Sequence, residues 1–132
     1  MGVRIDKIAS STVNLSLPRE VSLTPRCGGE AGTVCLVRAL EEKRVYDQVE
    51  LATGRMAKIS RGDIIAGVLG ARRALQGFVG EVPPELNRGD RLHVLNLGGV
   101  IGRAVSYSRQ YGHPLEVEFL GAVQEGGRVL NI

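Results

Sequence analysis

Ser60-Arg61-Gly62-Asp63-Ile64-Ile65-Ala66-Gly67-Val68-Leu69 and Asn87-Arg88-Gly89-Asp90-Arg91-Leu92-His93-Val94-Leu95-Asn96 are two copies of one pattern. Each has a polar residue, then Arg-Gly-Asp, then an apolar run of strand-like composition. Glycine permits the positive φ of a tight turn, and aspartate can bond backbone amides beside it. A Gly-rich segment follows each run: Gly70-Ala71-Arg72-Arg73-Ala74-Leu75-Gln76-Gly77 in the first copy and Gly98-Gly99-Val100-Ile101-Gly102-Arg103-Ala104-Val105 in the second. Pro83-Pro84 separates the copies. The recurrence marks Gly62, Asp63, Gly89 and Asp90 as structural turn residues. It also removes the integrin-binding reading that a single Arg-Gly-Asp would invite.

Short strands are predicted on both sides of the repeat. After it, Leu115 to Leu120 alternates behind Pro114, Gly126-Gly127 makes a turn, and Val129 to Ile132 is a last short strand. The apolar end, Leu130 and Ile132, suggests that something follows in a longer parent protein. Before the repeat, Val13, Leu15 and Leu17 alternate with polar residues as a half-buried strand does. Pro18 and Pro25 bracket a segment bearing Val21 and Leu23. Thr33 to Leu40 and Val45 to Leu51 read as a hairpin around the charged turn Glu41-Glu42-Lys43-Arg44, while residues 35–46 also fit a helical period. Ala71–Leu75 and Val100–Arg109 are each expected to form one to three helical turns. The predicted fold is all-β: a barrel of six to eight strands with one or two short helices. Residues 1–132 form one domain, with N-terminal strands over 1–55 and the pseudo-repeated half over 56–125.

Composition bounds the function. The chain has 132 residues, 43% hydrophobic and 23% charged, with a net charge of +3. These values exclude disorder and a disulfide scaffold. Arginine outnumbers lysine 14 to 3, which suits carboxylate and phosphate partners. Five aromatic residues, three Tyr and two Phe, make a poor platform for stacking bases, and this argues against nucleic acid. The spacing of Cys27 and Cys35 matches no zinc or redox motif, and no metal site or cofactor is assigned. No apolar run approaches the roughly 18 residues of a membrane helix. The N-terminus lacks an apolar signal region, so the expected location is cytoplasmic.

The polar-x-Gly-Asp turn before an apolar strand, at Ser60–Asp63 and again at Asn87–Asp90, resembles the GD box of cradle-loop barrels. It is similar locally to the second domain of translation elongation factors. The resemblance covers about residues 45–125. It implies that each Gly-Asp turn joins two strands at a right angle and that the Asp ties the turn to the neighbouring half. Ile64 to Leu75 and Leu95 to Gly102 also resemble the leading domain of some uncharacterised bacterial P-loop proteins. That resemblance implies a nucleotide-binding domain, either following the barrel in a longer protein or supplied by a partner, since this chain has no GxxxxGK[ST] motif.

Candidate ligand-binding residues are Gly98, Gly99, Gly102 and Arg103, with Arg72 and Arg73 in the equivalent turn of the first copy. Successive amides in a Gly-rich turn that opens a helix can hold an anion, and an arginine one turn on would complete the site. Close backbone packing in a small barrel is the favoured role of the same glycines. No catalytic residue is assigned. Glu116 and Glu118 share a strand face, and a carboxylate pair needs burial and a cleft to do acid–base work. The first reading is a non-enzymatic binding module that docks onto a protein partner, or onto itself as a homo-oligomer, through its Arg-bearing Gly-rich loops. The second is an enzyme or sensor for an anionic small molecule, with its site between residues 70–78 and 97–106. The third is an RNA-binding barrel.

Overall fold

The computed structural model describes residues 2–43, 47–72, 78–107 and 113–132. The chain is mainly β. Three elements open it: β1 (Gly2–Arg4), β2 (Lys7–Ile8) and a 3-10 helix (Ser10–Leu15). Next come β3 (Glu20–Thr24), β4 (Arg26–Gly28), β5 (Val34–Ala39), β6 (Gln48–Glu50) and β7 (Met56–Lys58). The repeat supplies β8 (Ile64–Leu69), β9 (Phe78–Glu81), β10 (Glu85–Asn87), β11 (Arg91–Val94) and β12 (Val100–Tyr107). β13 (Glu116–Glu125) and β14 (Arg128–Val129) end it.

The main sheet is organised around β13, the longest strand. β13 pairs with β11, β11 with β12, β12 in parallel with β8, β8 with β5, and β5 with β13 again. β5 and β8 are apolar on both faces. Cys35, Val37, Ala39, Ile65 and Leu69 enter one core with Leu92, Ile101, Val117 and Phe119. Val34, Leu36, Ala66 and Val68 enter a second core beneath Ile5, Val21, Leu120 and Val123. The N-terminal segment covers this second face, which explains why residues 34–37 are a continuous apolar run rather than an alternating one. A register shift in β13 between Phe119 and Gly121 lets that strand serve both cores.

Several expectations are corrected. Val13, Leu15 and Leu17 do not form a strand. Residues 10–15 turn as a 3-10 helix because Thr12 donates both its N–H (3.1 Å) and its Oγ1 (2.9 Å) to the Ala9 carbonyl. Such local bonds compete with a ladder. The expected hairpin is also absent. β5 pairs with β8 and β13, whereas β6 pairs with β7. Val100–Tyr107 is a strand, not a helix, because it finds ladder partners in β8, β9 and β11. The helix expected over Ala71–Leu75 falls largely outside the described residues. Among the described residues, no helix is long and apolar enough to cross a membrane.

Candidate functional site

The two Arg-Gly-Asp turns have matching geometry. Asp63 N–H donates to the Ser60 carbonyl (3.0 Å) and Asp90 N–H to that of Asn87 (3.0 Å). Gly62 and Gly89 occupy the third position with φ of +91° and +98°, where a side chain would be strained. Each aspartate then closes its own turn: Asp63 Oδ2 accepts from Ser60 N–H (2.8 Å) and Asp90 Oδ2 from Asn87 N–H (2.9 Å). Backbone bonds dock the turns onto equivalent strands. Gly62 N–H and the Asp63 carbonyl bond Ala39 (2.8 and 2.9 Å), and Gly89 N–H and the Asp90 carbonyl bond Phe119 (2.9 and 2.8 Å). The carbonyl of each aspartate therefore makes the link to the neighbouring strand, and its carboxylate shapes the turn.

The copies differ at the aspartate side chain. Asp63 Oδ2 also accepts from Lys7 Nζ at 2.6 Å, with both side chains largely buried. Asp90→Ala is expected to cost about 1 kcal/mol, the worth of one charge-assisted turn bond. Asp63→Ala is expected to cost about 1 kcal/mol more, because Lys7 loses its partner where little water reaches it. Urea midpoints of the two variants measure this. Equal losses would contradict the role given to Lys7.

The connection between β11 and β12 carries the predicted ligand residues. Two of its amides are engaged: Gly99 N–H donates to the Asn96 carbonyl (3.2 Å) and Val100 N–H to Asn96 Oδ1 (3.1 Å). Its carbonyls are engaged as well. Gly98 O accepts from Ser11 N–H (2.9 Å), Gly99 O from Val68 N–H (3.1 Å) and Ser11 Oγ (3.1 Å), and Leu97 O from Glu50 N–H (2.7 Å). This connection is stitched to the 3-10 helix, β8 and β6. Gly102 lies inside β12 opposite His93, where a Cβ would meet the Gly70 and Glu81 carbonyls.

The structure brings the two Gly-rich segments together, since Gly70 N–H donates to the Ile101 carbonyl at 3.0 Å. Arg72, half-buried, donates from Nη1 to the Leu95 carbonyl and exchanges backbone bonds with Gly80. Arg103 is exposed and pairs with Glu81 at 3.0 Å. Arg73 lies outside the described residues.

The connection offers side chains to solvent. Leu97 is 42% exposed. Met56, 45% exposed, stands opposite Glu50, the residue that bonds Leu97. Val13, 49% exposed, belongs to the 3-10 helix that holds Gly98 and Gly99. These three exposed apolar residues come from separate segments that backbone bonds link, so no run in the sequence announces them.

A titratable cluster sits at the ends of β11 and β13. His113 Nε2 lies 2.9 and 3.0 Å from the two oxygens of Glu41, and Glu41 also accepts from Glu116 N–H at 2.9 Å. Burial raises the Glu41 carboxyl, but these bonds outweigh it and hold the group below the usual range. Lys43 donates to the His113 carbonyl. Glu116 and Glu118 do not act as a carboxylate pair: Glu116 binds Arg91 (2.7 Å) and Glu118 binds Arg38 (3.4 Å). Burial pushes both thiols up, Cys35 further than half-buried Cys27, so neither is poised as a nucleophile. Among the described residues, no three His, Cys, Asp or Glu side chains gather as a metal site. Comparison with family models, curated proteins and solved structures finds no match for the chain.

Proposed function

We propose that the chain is a non-enzymatic accessory module, a small cytoplasmic barrel of the cradle-loop type. It docks onto a second copy of itself or onto a protein partner through the end built around Leu97. The ring of pairings through β13, β11, β12, β8 and β5 supports the barrel, and the matching Gly-Asp turns support the GD-box resemblance. One observation carries the docking reading. The amides of Gly99 and Val100 are committed to Asn96 and unavailable to an anion, while the same connection turns Leu97 to solvent. A nucleotide-binding domain is the heterologous partner implied by the resemblance to leading domains of P-loop proteins.

Self-association is the form of docking that the purified chain can display. Sedimentation equilibrium of the wild type at high concentration is expected to give a homo-oligomer. Leu97→Asp combined with Met56→Glu is expected to give a folded monomer whose unfolding midpoint no longer depends on protein concentration, since both residues are solvent-facing. A monomeric wild type would overturn self-association, and association indifferent to the double variant would overturn docking through Leu97.

A further inference from the structure

We infer that the seam between β11 and β12 is a pH-sensitive latch, in which protonation of His93 frees the outer half of β12. His93 stands opposite Gly102 on β12 and Glu116 on β13. Beyond Gly102, β12 leaves β11 and runs from Arg103 to Tyr107 with β9 as its ladder partner. Continued pairing would have set Ala104 against Arg91. Instead Ala104 N–H donates to His93 Nδ1 at 3.1 Å. A neutral imidazole can accept at one nitrogen, whereas an imidazolium has only donors. A proton at Nδ1 therefore sets one N–H against another, and the tether from β11 to the outer half of β12 is lost.

The surrounding charges set the direction. From β13, Glu116 faces His93 with its carboxylate shared with Arg91, and Glu118 is paired with Arg38 of β5. From the adjoining loops come Glu41, His113 and Lys43. From β12 and β9 comes the Arg103–Glu81 pair, which travels with the released ribbon. Burial lowers the His93 value, Glu116 and Glu41 oppose that, and His113 adds to it; the net value lies below the ordinary one. The folded-state value is thus below the unfolded one. The contribution of the latch is fully present above about pH 6.5 and is lost as pH falls through the folded value.

The test is hydrogen exchange of the Ala104 amide, followed by NMR and corrected for the intrinsic pH dependence. Wild-type protection is expected to fall roughly tenfold as pH is lowered from about 7.5 through the folded-state titration of His93, as for one lost hydrogen bond. His93→Asn keeps an acceptor oxygen in place of Nδ1 and carries no titrating proton, so its protection should stay flat. His113→Gln should retain the wild-type step. A step that persists in His93→Asn, that vanishes in His113→Gln, or that is missing from the wild type overturns the proposal. Should His93→Asn not fold, the ring nitrogen shifts of wild-type His93 decide. They must titrate with the same midpoint as the Ala104 amide, and separate midpoints refute the latch.

Discussion

Gly99→Ala is expected to destabilise the protein by about 2–5 kcal/mol, while Gly98→Ala costs well under about 1 kcal/mol. Gly99 has φ of +87°, a conformation that costs a residue with a Cβ about 1–2 kcal/mol. Its Cβ would also press into Ala9 Cβ and lie 3.3 Å from Ser11 Oγ. Ala9 cannot retreat cheaply. It is fully buried, donates to the Ala66 carbonyl at 3.0 Å and bridges to Leu51. Overpacking of this kind adds about 1–3 kcal/mol. At Gly98 a Cβ would make only ordinary contacts of 3.5 Å with Asn96 Oδ1 and Ser10 Oγ. Denaturant unfolding of the two variants separates two views of the loop. If it is a structural stitch, only the second glycine matters for stability. If it is an anion nest, Gly98→Ala would impair binding while sparing stability.

Phe119→Ala is expected to cost about 3–5 kcal/mol, a large part of the roughly 5–15 kcal/mol that holds a domain of this kind together. The Phe119 ring is fully buried in the core lined by Cys35, Val37, Leu92 and Ile101. Its backbone also clamps the second Gly-Asp turn through bonds of 2.9 and 2.8 Å to Gly89 and Asp90. The cavity is thus expected to loosen the turn as well as the core. Thermal unfolding should show a midpoint lower by about 10 °C or more. Hydrogen exchange should show lost protection at Gly89 N–H before it appears at Gly62 N–H, which is clamped by Ala39 instead. A loss under about 1 kcal/mol would mean that this core is not the one that orders the repeat.

Features set by local bonds were readable from the residues. The Ser60–Asp63 and Asn87–Asp90 turns each close over four residues, and their glycine and aspartate announce it. The β13–β14 hairpin was readable for the same reason, from Gly126-Gly127. Features set by distant partners were not. Val100-Ile101-Gly102-Arg103-Ala104-Val105 fits a helical period, and only its neighbours make it a strand: Gly67 leaves room for the Gly99 carbonyl, and β9 lies alongside Arg103 to Tyr107. Thr33 to Leu40 gave no sign that its partners are β8 and β13 rather than the next apolar segment.

The candidate site divides in the same way. The glycines mark the connection, but nothing in the sequence marks Asn96, whose carbonyl accepts from Gly99 N–H and whose Oδ1 accepts from Val100 N–H. The arginine partners of Glu116 and Glu118 sit on β11 and β5, far away in sequence. His93 alternates with Leu92 and Val94 like any half-buried strand residue, and nothing in that pattern points to the Ala104 amide.

Native mass spectrometry of the protein as purified from cells tests the docking account most directly, because it reports subunit number and retained ligand together. The account predicts multiples of the chain mass, or the chain with a protein partner, and no small molecule held. A monomer carrying the excess mass of a phosphorylated small molecule would contradict it. That result would return the Gly98–Arg103 segment from a docking end to a ligand site.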